Sequence, residues 1–322
     1  MIPASGSKVD AVRQTILDWY ASGHRDLPWR GTRDPYAVLV SEVMLQQTQA
    51  SRVAERYPRF MARFPNVAAL ASASEADVLT EWSGLGYNRR ALSLRSAAAA
   101  VAASGWPPDL DGLQGLPGVG GYTARAVGSL AFGWRLGVVD TNVRRWLVRR
   151  FGLDAEPTAA ARPALQRLAD ALATASDGLA SPTAATWTHA SMELGAVVCR
   201  ARQPACEICP IAVGCPARGR ARRVPVARQR PFRGSRRAYR GALVRALASA
   251  PDNSLSRGEA PGAIDRAAAP GALGEAVDQE LARVAIEDLE REGLAHLDGD
   301  ILRLGPSAGR EPGSGRRLQS AG

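Results

Sequence analysis

Lysine is almost absent from this chain: 40 of its 41 basic residues are arginine, and the one lysine, Lys8, lies close to the N-terminus. Chemistry that needs a lysine amine inside the folded body, Schiff-base formation above all, is excluded by composition. Long hydrophobic runs are also missing. The longest, Ala97–Ala103, is far too short to span a bilayer, and Met1–Asp10 has no apolar stretch that could act as a signal peptide. A cytoplasmic protein is expected. Cysteine is scarce too, with four residues in 322, all confined to one short segment. A disulfide framework spread over the chain is therefore excluded.

What is abundant is positive charge. The net charge of +10 and the isoelectric point near 10.3 point to a polyanionic partner, most simply nucleic acid. The length suffices for two domains with separate cores. Residues 9–215 carry no sustained alternating pattern and read as helical, with Val12, Ile16 and Trp19 on one helical face. Asp34-Pro35 is a helix start, an N-cap followed by proline at the first helical position. Composition changes at Arg218–Arg240, which holds ten arginines and no acid. It reads as a basic linker (219–236), either a solvated tether or a strap that touches a polyanion. Beyond it, Tyr239–Ala250 and Gly274–Glu292 are helix candidates, Pro251–Pro270 reads as loop, and Leu294–Leu304 as a hairpin turning at Asp298-Gly299. Helices ending in a hairpin suggest a winged-helix-like module over 237–305, followed by a disordered tail, 306–322.

The cysteines are Cys199, Cys206, Cys209 and Cys215, in the pattern C-x6-C-x2-C-x5-C. Four thiols so close together in a cytoplasmic chain are metal ligands. Zinc is one reading, although zinc sites usually use two short pairs and only one is present. The uneven spacing also suits the corners of a [4Fe–4S] cube. A second motif is Leu116-Pro-Gly-Val-Gly-Gly-Tyr-Thr-Ala124. Its glycines, Gly118 and Gly120 among them, allow a tight turn whose backbone amides can approach a phosphate. A short glycine-rich turn can equally be a plain connection between helices.

Together these segments resemble the endonuclease III and MutY group of the helix–hairpin–helix superfamily, over about residues 9–215. The resemblance implies a mainly α fold, a structural [4Fe–4S] cluster in a loop at 199–215, and sequence-independent binding of the DNA backbone by the hairpin. Cleavage of a glycosidic bond needs a proton donor to the leaving base and a negative charge against the oxocarbenium ion. Glu42, in Ser41-Glu-Val-Met-Leu-Gln-Gln-Thr48, has apolar neighbours that would desolvate it and raise its pKa. By itself it could also be a solvated helix residue. Asp140, in Val138-Val-Asp-Thr-Asn-Val143, could be no more than an N-cap.

Both segments resemble those of MutY-type enzymes that carry the general acid and the nucleophilic or stabilising aspartate. The resemblance implies Glu42 as acid and then water-activating base, Asp140 as oxocarbenium partner, and Asn142 as its orienting neighbour. Thr141 stands where glycine is frequent. Bifunctional relatives use a hairpin lysine; here that position is Tyr122, similar to a tyrosine that some MutY enzymes place beside the aspartate. The resemblance extends to Arg25, Trp29, Arg30 and Glu193 at an adenine pocket, to Gln46, Gln47 and Thr48 near the minor groove, and to Tyr87 of Gly84-Leu-Gly-Tyr87 as a wedge beside the opposite base. A second tyrosine often follows; here Asn88 does.

The function implied is a monofunctional, monomeric glycosylase removing adenine opposite 8-oxoguanine or guanine from double-stranded DNA. A thymine or uracil mismatch glycosylase and a non-catalytic iron–sulfur DNA-binding protein are the alternatives. The larger Nudix-like domain in which many MutY proteins end, and which reads 8-oxoguanine, has no counterpart in residues 237–305. The basic run leading into that module suggests that it wraps the lesion strand.

Overall fold

The computed structural model describes residues 6–153, 161–174, 184–219 and 231–307. The basic linker falls largely outside these residues, as does the tail beyond 307. Fourteen α-helices are described: α1 Gly6–Ser22, α2 Pro35–Leu45, α3 Ala50–Arg63, α4 Val67–Ser72, α5 Glu75–Trp82, α6 Arg89–Ser104, α7 Leu110–Gly115, α8 Gly121–Leu130, α9 Thr141–Phe151, α10 Ala161–Thr174, α11 Ala184–Glu193, α12 Arg236–Ser249, α13 Ala260–Ala267 and α14 Gln279–Arg291. Three short strands, β1 Ser254–Ser256, β2 Ala295–Asp298 and β3 Ile301–Leu304, are the only strands among the described residues. No described helix is long and apolar enough to cross a membrane.

The chain divides into two compact units. One comprises residues 1–46 and 106–228, the other 47–105 and 229–322. In the first unit the core joins Val12 and Ile16 of α1 to Val143, Trp146 and Leu147 of α9, to Leu168 and Leu172 of α10, and to Trp187 of α11. Trp146 meets Trp187 edge to face at 6.5 Å, the geometry in which the positive ring edge faces a negative ring face. Helix α2 begins as the sequence predicts: Asp34 accepts from the amides of Tyr36 and Ala37, and Pro35 occupies the first turn. Every residue of α2 from Tyr36 to Met44 is buried, so its single charged group, Glu42, is carried into the interior.

In the second unit α4 and α5 pack on α6, and α12 packs on α13 and α14. The sheet has the order β1-β3-β2, antiparallel throughout, with Leu255 opposite Leu302 and Leu297 opposite the same residue. Helix, strand, two helices and a hairpin, with the first strand added to the hairpin's far side, is the order of a winged helix. The expectation of loop over Pro251–Pro270 is corrected: the segment holds β1 and α13. Proline at the second position of α13 fits the helix start, and Ala260, Ala263 and Ile264 supply a buried face, which the high alanine and glycine content conceals. Two arginines in the first turns of α12, Arg236 and Arg240, pair with Asp288 of α14 and with Glu292 just beyond it.

Candidate active site and cysteine loop

Glu42 is buried on α2, and burial is the main reason its pKa is raised to about 7; a hydrogen bond from Tyr122 opposes the shift and the charge of Asp140 adds to it. The Tyr122 hydroxyl donates to Glu42 Oε2 at 2.9 Å. The tyrosine expected beside the aspartate is hydrogen-bonded to the glutamate and also lies within reach of the Asp140 charge. Tyr122 lies one residue into α8, so the turn that presents the hairpin also sets this contact. Burial, then the charges of Glu42 and Asp140, push its own pKa well above the usual tyrosine value, so it stays a donor.

Asp140 is an N-cap. Its Oδ1 accepts from the Val143 amide at 2.6 Å and its Oδ2 from Asn142 Nδ2 at 2.7 Å. Burial raises its pKa, and these hydrogen bonds, with the Arg145 charge, pull it back part of the way. Capping and holding a carboxylate are here one geometry: the donors that terminate α9 also fix the direction of the charge. Asn142 is in turn held by Arg145, whose Nη2 donates to Asn142 Oδ1 at 2.8 Å and to the Gly195 carbonyl at 2.6 Å, while its Nε donates to the Cys199 carbonyl at 2.6 Å. Gly195 admits this approach because a Cβ there would lie 2.4 Å from the Asn142 carbonyl oxygen.

Arg145 was not visible as a site residue in the sequence. Arginines at 145 and 149 lie one helical turn apart, but α9 also carries Arg144 and Arg150, so the pair does not stand out until its partners are brought to it. Arg149 donates to Cys199 Sγ at 3.4 Å and to the carbonyls of Arg200 and Ala201 at 2.7 and 2.9 Å. The four cysteines form no disulfide, and together with Arg149, Val198 and Ala205 they line one cavity. Among the described residues no three such side chains converge tightly enough for a single ion. A cavity lined by four thiols, with a guanidinium donating to one sulfur, is a donor set that fits a thiolate-held metal centre.

The predicted pocket residues Arg25, Arg30 and Glu193 come together. Arg25 Nε and Nη2 donate to the two Glu193 oxygens at 2.8 and 2.7 Å, and Arg30 donates to the same carboxylate. Burial works against the Glu193 charge, but the hydrogen bonds from Arg25 and Arg30 outweigh it and hold the carboxyl at about 2. Trp29 is buried. Gln46 Nε2 donates to Thr123 Oγ1 at 3.2 Å. With Glu193 1% exposed and Arg30 10%, Glu193→Gln leaves two guanidiniums facing a neutral group. A loss of about 3 kcal/mol in unfolding free energy is expected, the low end for a broken buried pair because Arg25 is 43% exposed. Urea denaturation measures it, and a loss below about 1 kcal/mol would show the network to be solvated.

The hairpin turns at Gly118 with φ +74, a conformation side chains resist. Gly120 is the N-cap of α8 and has no side chain to occupy the first amides, which leaves them for an anion. Gln47, Thr48 and Tyr87 belong to the second unit. Gln47 is exposed, Thr48 donates to the Leu85 carbonyl at 3.4 Å, and Tyr87 is 44% exposed.

The model of the HhH-GPD superfamily base excision DNA repair proteins matches residues 40–170, which contain Glu42, the hairpin and Asp140. An adenine DNA glycosylase of Mycolicibacterium smegmatis is 43% identical over 244 residues, covering 72% of this chain and 78% of that protein. The chain belongs to the adenine DNA glycosylase family. Its relative in Mycobacterium tuberculosis, also an adenine DNA glycosylase, is 46% identical over 200 residues, covering 61% of this chain and 64% of that protein. This chain thus spans just under two thirds of that relative's length. Among solved structures, a thermostable thymine-DNA glycosylase superposes with a TM-score of 0.59 at 30% identity, covering 65% of this chain and 96% of that one. The family membership agrees with the mainly α helix–hairpin–helix fold.

Proposed function

We propose that this protein is a monofunctional DNA glycosylase that removes adenine mispaired with 8-oxoguanine or guanine from duplex DNA, with Glu42 as general acid. The observation that carries the reading is Glu42: a buried carboxyl with a pKa of about 7, in the same unit as a second carboxylate, Asp140, already fixed by two donors. A buried carboxyl that holds its proton near neutrality, with a second carboxylate fixed by two donors, supports an acid and a charge-stabilising role. The C1′–N9 bond breaks, the proton of Glu42 passes to N7 of the departing adenine, and Asp140 faces the oxocarbenium ion. Glu42, now ionised, takes a proton from water as its hydroxide adds to C1′. Tyr122 orients Glu42. Asn142, anchored by Arg145, orients Asp140.

Cys199, Cys206, Cys209 and Cys215 would hold a [4Fe–4S] cluster, which when bound supplies a structural crosslink for the loop. Arg30 and Glu193 would present a charged donor–acceptor pair to the flipped base, and the amides of α8 would take a phosphate. The test is single-turnover base release over a panel of duplexes: adenine opposite 8-oxoguanine, guanine and thymine, and thymine or uracil opposite guanine. Release of adenine from the first two is expected. The likeness to a thymine-DNA glycosylase structure makes thymine release the specific competing outcome. Because the chain offers no internal lysine, the product should be an intact abasic strand that breaks only after alkali. Efficient borohydride trapping of a protein–DNA adduct would overturn the monofunctional assignment.

A further inference from the structure

In the second unit, Tyr87 is held from behind. It sits at φ +49, a left-handed backbone that costs a non-glycine residue energy unless its surroundings impose it. Arg90 does so. Its guanidinium lies 5.4 Å from the Tyr87 ring centroid and 5.4 Å from that of Trp82, and it donates to the carbonyls of Gly86 (2.9 Å) and Tyr87 (3.3 Å) and to Thr48 Oγ1 (3.2 Å). Burial lowers its pKa only to about 10, so it remains a cation. Trp82 donates its indole N–H to Gly86 at 3.2 Å and is fully buried at the C-terminal end of α5. The loop that carries Tyr87 is thus fastened to the end of α5.

The C-terminal module fastens α5. Helix α12 and strand β3 pack on it, Thr80 Oγ1 donates to Asn253 Oδ1 at 3.3 Å, and a Cβ on Gly305 (φ +95) would lie 3.7 Å from the Ala76 amide nitrogen. The module's own charge argues against a DNA-wrapping role. Although the whole chain is strongly basic, residues 237–305 hold twelve acidic and eight basic residues. Helix α14, the third helix of the winged arrangement, carries Glu280, Glu287, Asp288 and Glu290 against Arg283 and Arg291. The hairpin tip is Asp298-Gly-Asp300. Arg283 is paired with Glu280 and Glu287, and Arg291 with Asp288. An acidic helix and wing repel phosphate.

We propose that the C-terminal module supports opposite-base selectivity from inside the protein, by fixing the seat of Tyr87 through α5, Trp82 and Arg90, and not by laying α14 or the wing on DNA. The inference rests on the adenine glycosylase reading and on Tyr87 as the wedge. Arg90 and Gly305 are positioning residues.

The test uses the full chain and single-turnover adenine release opposite 8-oxoguanine and opposite guanine, with the ratio of the two rates as readout. Tyr87→Ala is expected to compress that ratio by about tenfold, the scale of a lost stacking platform. Arg90→Met and Gly305→Leu should each compress it toward the same value. Neither should compress it further in the Tyr87→Ala background, since residues acting through one another are not additive. Arg283→Ala with Arg291→Ala should leave duplex affinity and its salt dependence unchanged. If Gly305→Leu does not fold, Thr80→Val is used, with faster amide exchange at residues 83–88 as the expected result and unchanged exchange as the contrary one. Effects that add fully to Tyr87→Ala would overturn the proposal. So would a salt slope reduced by about one for each α14 arginine removed, because the module would then be reading DNA itself. Absence of adenine release by the wild type from every duplex would instead refute the glycosylase reading.

Discussion

Glu42→Gln is expected to lower the single-turnover rate of base release by about 10²–10⁴-fold, the usual contribution of a positioned proton donor, while leaving duplex affinity nearly unchanged. The amide keeps the shape and can still accept from Tyr122, so the fold has no reason to fail. Affinity persists because most of it comes from phosphate contacts made elsewhere. The wild-type rate should also fall with rising pH. The acid acts in its protonated form, and a carboxyl at about 7 loses that form above neutrality, so the rate declines roughly tenfold per pH unit there. At low pH the decline comes from Asp140, which acts ionised. Its raised pKa places that limb above the ordinary aspartate value, and the two limbs belong to the coupled pair. A Glu42→Gln variant should retain the acid limb and lose the alkaline one. Wild-type single-turnover rates in this variant would remove Glu42 from the mechanism.

Cys199→Ser is expected to have the other large effect, on folding itself. It directly follows Val198 of the first unit's core, and the loop it begins adds Ile211 to that core, with Cys199, Ala205 and Cys209 packed against it. A site formed only in the folded chain converts metal-binding free energy into folding free energy, about 10 kcal/mol in small zinc domains. Losing one ligand should therefore leave a colourless, poorly soluble chain. The wild type should be brown with four irons per chain, by metal and sulfide analysis. One zinc per chain and no chromophore would show the cluster assignment to be wrong. The damage should reach catalysis, because the Cys199 carbonyl is one of the acceptors that anchor Arg145, and Arg145 holds Asn142 against Asp140. A Cys199→Ser protein that stays soluble should release adenine more slowly.

The sequence by itself determined the features whose cause is local. Asp34-Pro35 starts α2 because an N-cap carboxylate and a fixed proline φ are properties of adjacent residues. The hairpin before α8 follows from glycines within a few positions, and the exclusion of lysine chemistry from composition alone. Periodicity located α12 and α14 to within a few residues. It missed β1 and α13, where an alanine- and glycine-rich stretch buries only a small face. Resemblance supplied Glu42 and Asp140, but their chemistry came from what surrounds them. A helix buried on all sides gives Glu42 its pKa, and a contact 80 positions along the chain gives it Tyr122. Arg145, Arg149 and Arg90 became site residues only in three dimensions, since a guanidinium's role lies in carbonyls and rings brought to it from distant segments. The acidic module gained its meaning in the same way: Arg236 and Arg240, at the end of the basic run, pair with Asp288 and Glu292, and α12 and β3 pack on α5, while the arginines at 220–230 lie outside the described residues. Local pattern fixes where helices begin and end, whereas partner choice for buried charges depends on which segments meet.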